Sequence, residues 1–240
     1  MHDNEIESAI TETAARLEVK FPLANRTSAG VDAAIRSHPM GFERLFPTRW
    51  IHNIYFDTPD LSCFYTSMSG ASQRLKLRLR WYGDPAGPGG GALEWKWRRN
   101  TLGRKWVAPV DWEGSLEKQR WSALRMGFRA ELGARQRASF DALALPTLLN
   151  RYRREYWISR DGSIRLTLDD QLSFVPQRSP LAPQMRGSIP WGRMRVLEIK
   201  APATSTQAVR NAARGFPYRP ARFSKYTAGM ELSLPHRVSA

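Results

Sequence analysis

The chain contains a single cysteine, Cys63, so neither a disulfide framework nor a cysteine-rich zinc site can organise it. Its four histidines, His2, His38, His52 and His236, share no metal-ligand spacing. No apolar run approaches the ~18 residues of a membrane-spanning helix. The opening Met1-His2-Asp3-Asn4-Glu5 is acidic where a secretory signal is basic and then apolar. A Walker-type Gly-x-x-x-x-Gly-Lys-Ser/Thr loop is missing, and Gly89-Gly90-Gly91, with no lysine after it, reads as a hairpin tip. Acidic residues are the remaining shortage: 22 Asp+Glu against 37 Lys+Arg leaves a formal net charge of +15. That excess calls for a polyanionic partner: nucleic acid, an anionic membrane or polyphosphate. With 42% apolar and 25% charged residues over 240 positions, the expectation is a folded, cytoplasmic protein. We read one domain spanning residues 1–240, with its core at about 16–235.

Periodicity then divides the chain. Ile6, Ile10 and Ala14 stand at near-helical spacing and predict a short helix over Glu5 to Ala15. From Arg16 the period becomes two, until Pro22 limits the strand. Helices are expected at Val31 to Ser37, Leu116 to Leu132, Ser139 to Leu149 and Thr204 to Arg214. Strands are expected at Trp50 to Phe56, Arg74 to Trp81, Leu93 to Arg98, Arg151 to Ser159, Ile164 to Asp169 and Arg195 to Lys200. The second and third of these strands flank the Gly/Pro-rich stretch 83–91 and predict an antiparallel hairpin with a long tip. Ser224-Lys225-Tyr226 opens a last strand or short helix. Asp57, ahead of Pro59, reads as a turn residue or a site residue, with the turn preferred.

In a strand, residues two apart share a face. Here the polar faces carry almost only cations with isolated glutamates: Arg16-x-Glu18-x-Lys20, Arg74-x-Lys76-x-Arg78-x-Arg80, Glu94-x-Lys96-x-Arg98 and Glu198-x-Lys200. Four cations in a row repel each other, and a solvated face would mix signs to avoid it. The opposite faces hold Leu75, Leu77, Leu79, Trp81, Leu93, Trp95, Trp97, Leu197 and Ile199, enough apolar surface to need a coat of helices. If the apolar side is outside, the cations line the inside of a closed or nearly closed barrel and form a slot for a row of phosphates. Glu18, Glu94 and Glu198 are oxygen donors of the kind that hold Mg²⁺ or Mn²⁺. The plainer alternative is that each pairs with a neighbouring Arg or Lys.

These residues resemble the vacuolar transporter chaperone (VTC) domain, the polyphosphate polymerase branch of the triphosphate tunnel metalloenzymes. The first matching fragments are Arg16-x-Glu18-x-Lys20, Tyr55-Phe56-Asp57-Thr58, Lys76-Leu77-Arg78-Leu79-Arg80-Trp81-Tyr82-Gly83 and Leu93-Glu94-Trp95-Lys96. Further on come Gly103-Arg104-Lys105, Tyr152-Arg153-Arg154-Glu155-Tyr156 and Ile164-Arg165-Leu166-Thr167-Leu168-Asp169. Val196-Leu197-Glu198-Ile199-Lys200 and Phe223-Ser224-Lys225-Tyr226 complete the order. The resemblance implies an α+β fold, an antiparallel β-barrel of about eight strands forming a triphosphate tunnel, with flanking helices. Carried over by motif, Lys20, Arg78, Arg80, Lys96, Lys105 and Arg165 would bind substrate phosphate, and Arg74 and Lys76, on the same basic strand face, are expected to join them. Lys200, Lys225 and Arg154 would serve catalysis. Glu198, with Glu18 and Glu94, would hold the divalent metal, Mn²⁺ or Mg²⁺. The implied reaction moves the terminal phosphoryl group of ATP onto a growing polyphosphate chain.

Arg16 stands where many tunnel enzymes open with a glutamate, which weighs against a two-metal hydrolytic site. Any attachment to a membrane would come from a partner protein. The competing functions are a triphosphatase of the same fold and a non-catalytic polyanion or nucleic-acid binder. The last is disfavoured because the aromatics fall opposite the basic residues within their strands, whereas base-stacking platforms need both on one face. No specific nucleic-acid partner is expected.

Overall fold

The computed structural model describes residues 11–13, 16–87, 89–99 and 102–234. The first half runs β1 (Thr11–Thr13), β2 (Arg16–Leu23), α1 (Ser28–Arg36), β3 (Glu43–Asp57), α2 (Ser62–Met68), β4 (Gln73–Tyr82), β5 (Gly91–Arg99) and β6 (Leu102–Val110). After a 3-10 turn at Leu116–Lys118 come α3 (Trp121–Ala130), α4 (Ala134–Ala142), β7 (Leu145–Ile158) and β8 (Arg165–Pro176). The chain continues with β9 (Ile189–Pro190), β10 (Arg195–Pro202), α5 (Thr206–Arg214) and α6 (Lys225–Ser233).

Every strand pairing is antiparallel, in the order β1-β6-β5-β4-β3-β7-β8-β10-β2, with β9 on β8. Among the described residues the eight long strands curl into a half-barrel with six flanking helices. The curl is tight enough to bring β2 at one end back into contact with β6 near the other.

The alternation sets which way each side chain points. Leu77, Leu79, Leu93 and Trp95 are fully buried outside the curl, packed with Trp121 and Leu124 of α3 and Phe140 of α4. On the other flank Phe21, Leu166, Leu197 and Ile199 lie beneath Val31 and Ile35 of α1 and Val209 and Ala212 of α5. Thr27 caps α1, its hydroxyl accepting from Gly30 N at 3.1 Å. The charged faces are therefore turned inward.

α6 lies against the concave face at β7 and β8. A Cβ on Gly229 would come within 2.4 Å of Phe174 and 2.5 Å of Leu148, so only glycine permits this approach. Phe174 is the register partner of Asn150, two positions from Leu148 on β7, which puts all three on one side of the sheet. Tyr226 of α6 stacks on Tyr55 at 4.8 Å and donates to Asp57 Oδ2 at 2.6 Å. Asp57 also accepts from the backbone N–H groups of Thr58, Cys63 and Phe64, which tie the start of α2 to the end of β3. Its role is that of a turn and helix anchor.

Several expectations need correction. Thr11–Thr13, inside the helix expected over Glu5 to Ala15, is a strand on β6; residues 5–10, 14 and 15 of that helix lie outside the described residues. The helix expected over Leu116 to Leu132 breaks at Gln119 and Arg120, both extended. Leu116 N bonds to Ala86 O and Trp121 N to Leu181 O, so tertiary hydrogen bonds hold two separate pieces. The helix expected over Ser139 to Leu149 starts earlier, at Ala134, and ends at Ala142. Leu145–Leu149 belongs to β7, where Leu148 and Leu149 are both fully buried, the first against α6 on the inner side and the second in the core on the outer, while Thr147 bonds to Tyr55 O and the Tyr226 hydroxyl. β6 was not expected as a strand at all, whereas of the two readings at Ser224-Lys225-Tyr226 the helix is the one that forms, opening at Lys225.

Candidate active site

Two carboxylate centres organise the inside of the curl. The first stands on β4, β5 and β6, where the register sets Arg78 opposite Glu94 and Lys96 opposite Lys105. Arg78 donates through Nε (2.8 Å) and Nη2 (2.5 Å) to Glu94 Oε2, while Lys105 Nζ sits 2.5 Å from Oε1. Arg80 Nη1 lies 3.8 Å from the same Oε1, donates from Nε to Asn53 Oδ1 at 2.9 Å, and reaches the Tyr152 hydroxyl at 3.1 Å. Burial raises the Glu94 carboxyl, but Arg78, Arg80 and Lys105 outweigh it and hold the group well below its ordinary range. Burial pushes Lys105 down to about 8, against the pull of Glu94.

The second centre stands on β2, β10, β8 and β7. Glu198 faces Lys20 across the β10–β2 pair, and Lys200 faces Glu18, an alternating arrangement of charge. Glu198 takes Lys20 on Oε1 at 3.3 Å and Lys200 on Oε2 at 2.9 Å, with Arg154 Nη2 at 4.0 Å. Burial again opposes ionisation, and Lys20, Lys200, Lys96 and Arg154 overcome it, so Glu198 stays charged far below its usual range. Lys96 reaches across from β5 to Glu18 of β2, at 2.7 and 2.8 Å, and closes the bore by side chains. Arg154 forks onto Asp169 at 2.5 and 2.7 Å, and Lys225 Nζ meets the same carboxylate at 2.5 Å while lying 4.7 Å over the Tyr152 ring.

Most of the expected cations therefore converge. Lys20, Lys76, Arg78, Arg80, Lys96, Lys105, Arg154, Lys200 and Lys225 share one interior, against the carboxylates of Glu18, Glu94, Asp169 and Glu198. Lys76 bonds to Ser224 Oγ at 2.7 Å. Burial first, then the charges of Lys20, Lys96, Arg74 and Arg78, push its ammonium down to about 7. Arg74 stands at the start of β4, crowded by Arg98 and Arg222. Arg165 is exposed at the start of β8, opposite Lys200 in register and at the rim of the bore. Sequence reasoning did not single out Asp169, Asn53 or Tyr152 as site residues. All three share strand faces with expected cations, and that parity was the available signal.

The VTC domain pattern matches residues 6–234. The chain belongs to the VTC domain family. No curated protein matches it. Two solved structures share the fold over most of their lengths. PH1819 from Pyrococcus horikoshii OT3 is 14% identical with a TM-score of 0.50, covering 90% of this chain and 99% of its own. The putative adenylyl cyclase HpAC1 from Hippeastrum, described as having a dominant triphosphatase activity, is 15% identical with a TM-score of 0.50, covering 95% of this chain and 99% of its own.

A divalent metal suits one of the two carboxylate centres of this VTC domain. Among the described residues no group of three or more His, Cys, Asp or Glu side chains comes together, so Glu18, Glu94 and Glu198 do not form one ligand set. Glu94 belongs to the other wall, held by Arg78, Arg80 and Lys105. Glu18 and Glu198 do approach each other: both contact Lys20, at 4.0 and 3.3 Å, and Glu198 acts to raise the pKa of Glu18. Two carboxylates completed by phosphate oxygens and water are an ordinary magnesium or manganese environment. The donor set therefore fits a metal that arrives with its phosphate ligand.

Proposed function

We propose that this VTC domain is a divalent-metal-dependent polyphosphate polymerase that transfers the terminal phosphoryl group of ATP to a growing polyphosphate chain. The observation that carries this reading is the excess of convergent cations over carboxylates on the inner strand faces. Such an interior is held at the cost of mutual repulsion and is relieved by a polyanion. Phosphoryl transfer asks for positioning and charge stabilisation more than for a covalent nucleophile.

In the reaction, a terminal oxygen of the polyphosphate chain forms a bond to the γ-phosphorus of ATP. The bond to the β–γ bridging oxygen breaks, and ADP leaves with its electron pair. Lys200, Lys20 and Arg154, already gathered on Glu198, are the groups to orient the γ-phosphoryl oxygens; Arg78, Arg80 and Lys105 are those for the rest of the phosphate row. Lys225 approaches from α6 and completes the enclosure over Tyr152. Glu18 and Glu198 would hold Mn²⁺ or Mg²⁺, whose contribution would be to neutralise charge on phosphate oxygens.

The reaction belongs where ATP is, in the cytoplasm, within one domain of residues 1–240. Among the described residues no helix is long and apolar enough to cross a membrane. Attachment to a membrane would fall to a partner protein. The inner cations are too enclosed to read a nucleic acid, which favours free triphosphates and polyphosphate as partners.

Incubation with ATP and Mn²⁺, followed by staining for long polyphosphate and quantifying ADP, tests the proposal. One ADP should appear for each phosphate added to polymer, and Lys200→Ala should abolish both. The second reading is hydrolysis of tripolyphosphate or a nucleoside triphosphate, favoured by the fold shared with HpAC1. Its product would be free phosphate without polymer.

A further inference from the structure

A polymerase needs an acceptor oxygen at every step, and at the first step no chain end exists. Ser224 carries a hydroxyl inside the curl, at the N-cap of α6. Its Oγ lies 2.7 Å from Lys76 Nζ of β4 and accepts from Thr227 N at 3.2 Å and from Thr227 Oγ1 at 3.1 Å. The residues on either side fix it among the groups of the second carboxylate centre. Phe223 O accepts from Lys20 Nζ at 3.3 Å, Lys20 in turn pairs with Glu198, and Lys225 meets Asp169. Ser224 itself is only half-buried.

These three neighbours decide where the serine proton goes. A hydroxyl oxygen has two lone pairs and one O–H. Thr227 N and Thr227 Oγ1 take the lone pairs, which leaves the O–H for Lys76 Nζ, and an amine accepts only when neutral. Burial favours that neutral form, and the charges of Lys20, Lys96, Arg74 and Arg78 add to it, pushing the ammonium down to about 7. A hydroxyl held on a neutral lysine amine is the arrangement of a Ser–Lys nucleophile pair. Capping α6 asks only for the bond from Thr227 N and gives no reason for the lysine. We propose that Ser224 is a phosphoryl acceptor, the oxygen on which a polyphosphate chain starts. Oγ forms a bond to the γ-phosphorus of ATP while its proton passes to Lys76 Nζ. The bond to the β–γ bridging oxygen breaks, and ADP leaves with the electron pair. The resulting phosphoserine lies at the first turn of α6 beside Lys76 and Lys20, whose charges stabilise it. Its terminal oxygen is then the end that takes the next phosphoryl group. The inference rests on ATP as the phosphoryl donor and adds that the polymer begins tethered to the protein.

The test incubates the full chain with γ-radiolabelled ATP and Mn²⁺, precipitates it in acid and maps the phosphate by mass spectrometry. A serine ester survives acid, whereas a phosphate on lysine or histidine does not. Wild type should carry acid-stable label on Ser224, with one ADP released for each first phosphate. Ser224→Thr keeps both the cap and a hydroxyl and should be labelled on the new side chain. Ser224→Asn keeps a capping side chain without a hydroxyl and should lose the label. Lys76→Met should slow labelling about 10²-fold or more, the scale of losing a general base. On denaturing gels polyphosphate should travel with the protein until alkaline elimination at the serine frees it. Polymer made free in solution, with no label on Ser224, overturns the inference and leaves the polymerase reading intact. Label that persists in Ser224→Asn, or that maps to another residue in wild type, also overturns it. A single phosphate on Ser224 with no polymer supports the acceptor and counts against the polymerase reading alone.

Discussion

Glu94 and Glu198 look interchangeable along the chain, each an isolated acid in an alternating strand followed two residues later by lysine. Their surroundings set them apart. Glu94 is the hub of one wall, gripped by Arg78 and Lys105 with Arg80 nearby, and among the described residues no second carboxylate shares these cations with it. Glu198 has the neighbouring carboxylate of Glu18 and shares Lys20 with it. The difference teaches that one acid serves to hold cations in position, whereas the other has a second carboxylate beside it, the pair that on the proposed function would hold the metal. Both satisfy the plainer expectation that acids among cations form ion pairs.

The largest contrast is expected in catalysis. Glu198→Gln should lower metal-dependent turnover by about 10²–10³-fold, the scale of losing one preorganised electrostatic group. Glu94→Gln should leave the Mn²⁺ concentration for half-maximal activity unchanged. Steady-state rates against Mn²⁺ concentration measure both, and an equal shift of the metal requirement in the two variants would erase the distinction.

Stability should reverse the order. Glu94→Ala leaves Arg78 and Lys105 without their carboxylate and is expected to cost ~3–5 kcal/mol, as for one-sided loss of a buried pair. Leu77→Ala, on the outer side of the same hairpin, should cost ~2–5 kcal/mol with little effect on the specific activity of the folded fraction. Denaturant unfolding provides both values. A Leu77→Ala protein as stable as wild type would mean that the outer clusters do not hold the half-barrel.

The smallest effect is a proton. Lys76, with its pKa near 7, and Lys105, near 8, are partly neutral at pH 8. A bound polyanion favours their charged forms and raises both pKa values, so binding takes up protons between about pH 7 and 9. Affinity for tripolyphosphate should therefore fall as pH rises through that window. Calorimetry in two buffers of different ionisation enthalpy reads the uptake directly, and Lys76→Met should reduce it.

Much of the site could be read from strand parity. Arg78, Arg80, Lys96 and Lys200 point inward because Leu77, Leu79, Trp95 and Ile199 must be covered by helices. Other parts carried no local signal. Leu148 and Leu149 are adjacent and both buried, and such a pair without alternation fits helix and buried strand equally. Near Tyr152 a bulge sets Gln171, at φ 51°, and Leu172 opposite a single residue of β7, a shift that alternation alone does not reveal. Asp169 meets Lys225 only because α6 folds back against the concave face.

The amino-acid order by itself determined which side chains share a face, because the pleat alternates with a period of two and greasy groups must leave water. It thereby settled that the basic groups would be turned inward. Which carboxylate would stand beside another, and which lysine would cross to close the circle, depended on the curl of the sheet and the return of the last helix. Those are long-range meetings of strands far apart in the chain, and no local pattern encodes the distances between them.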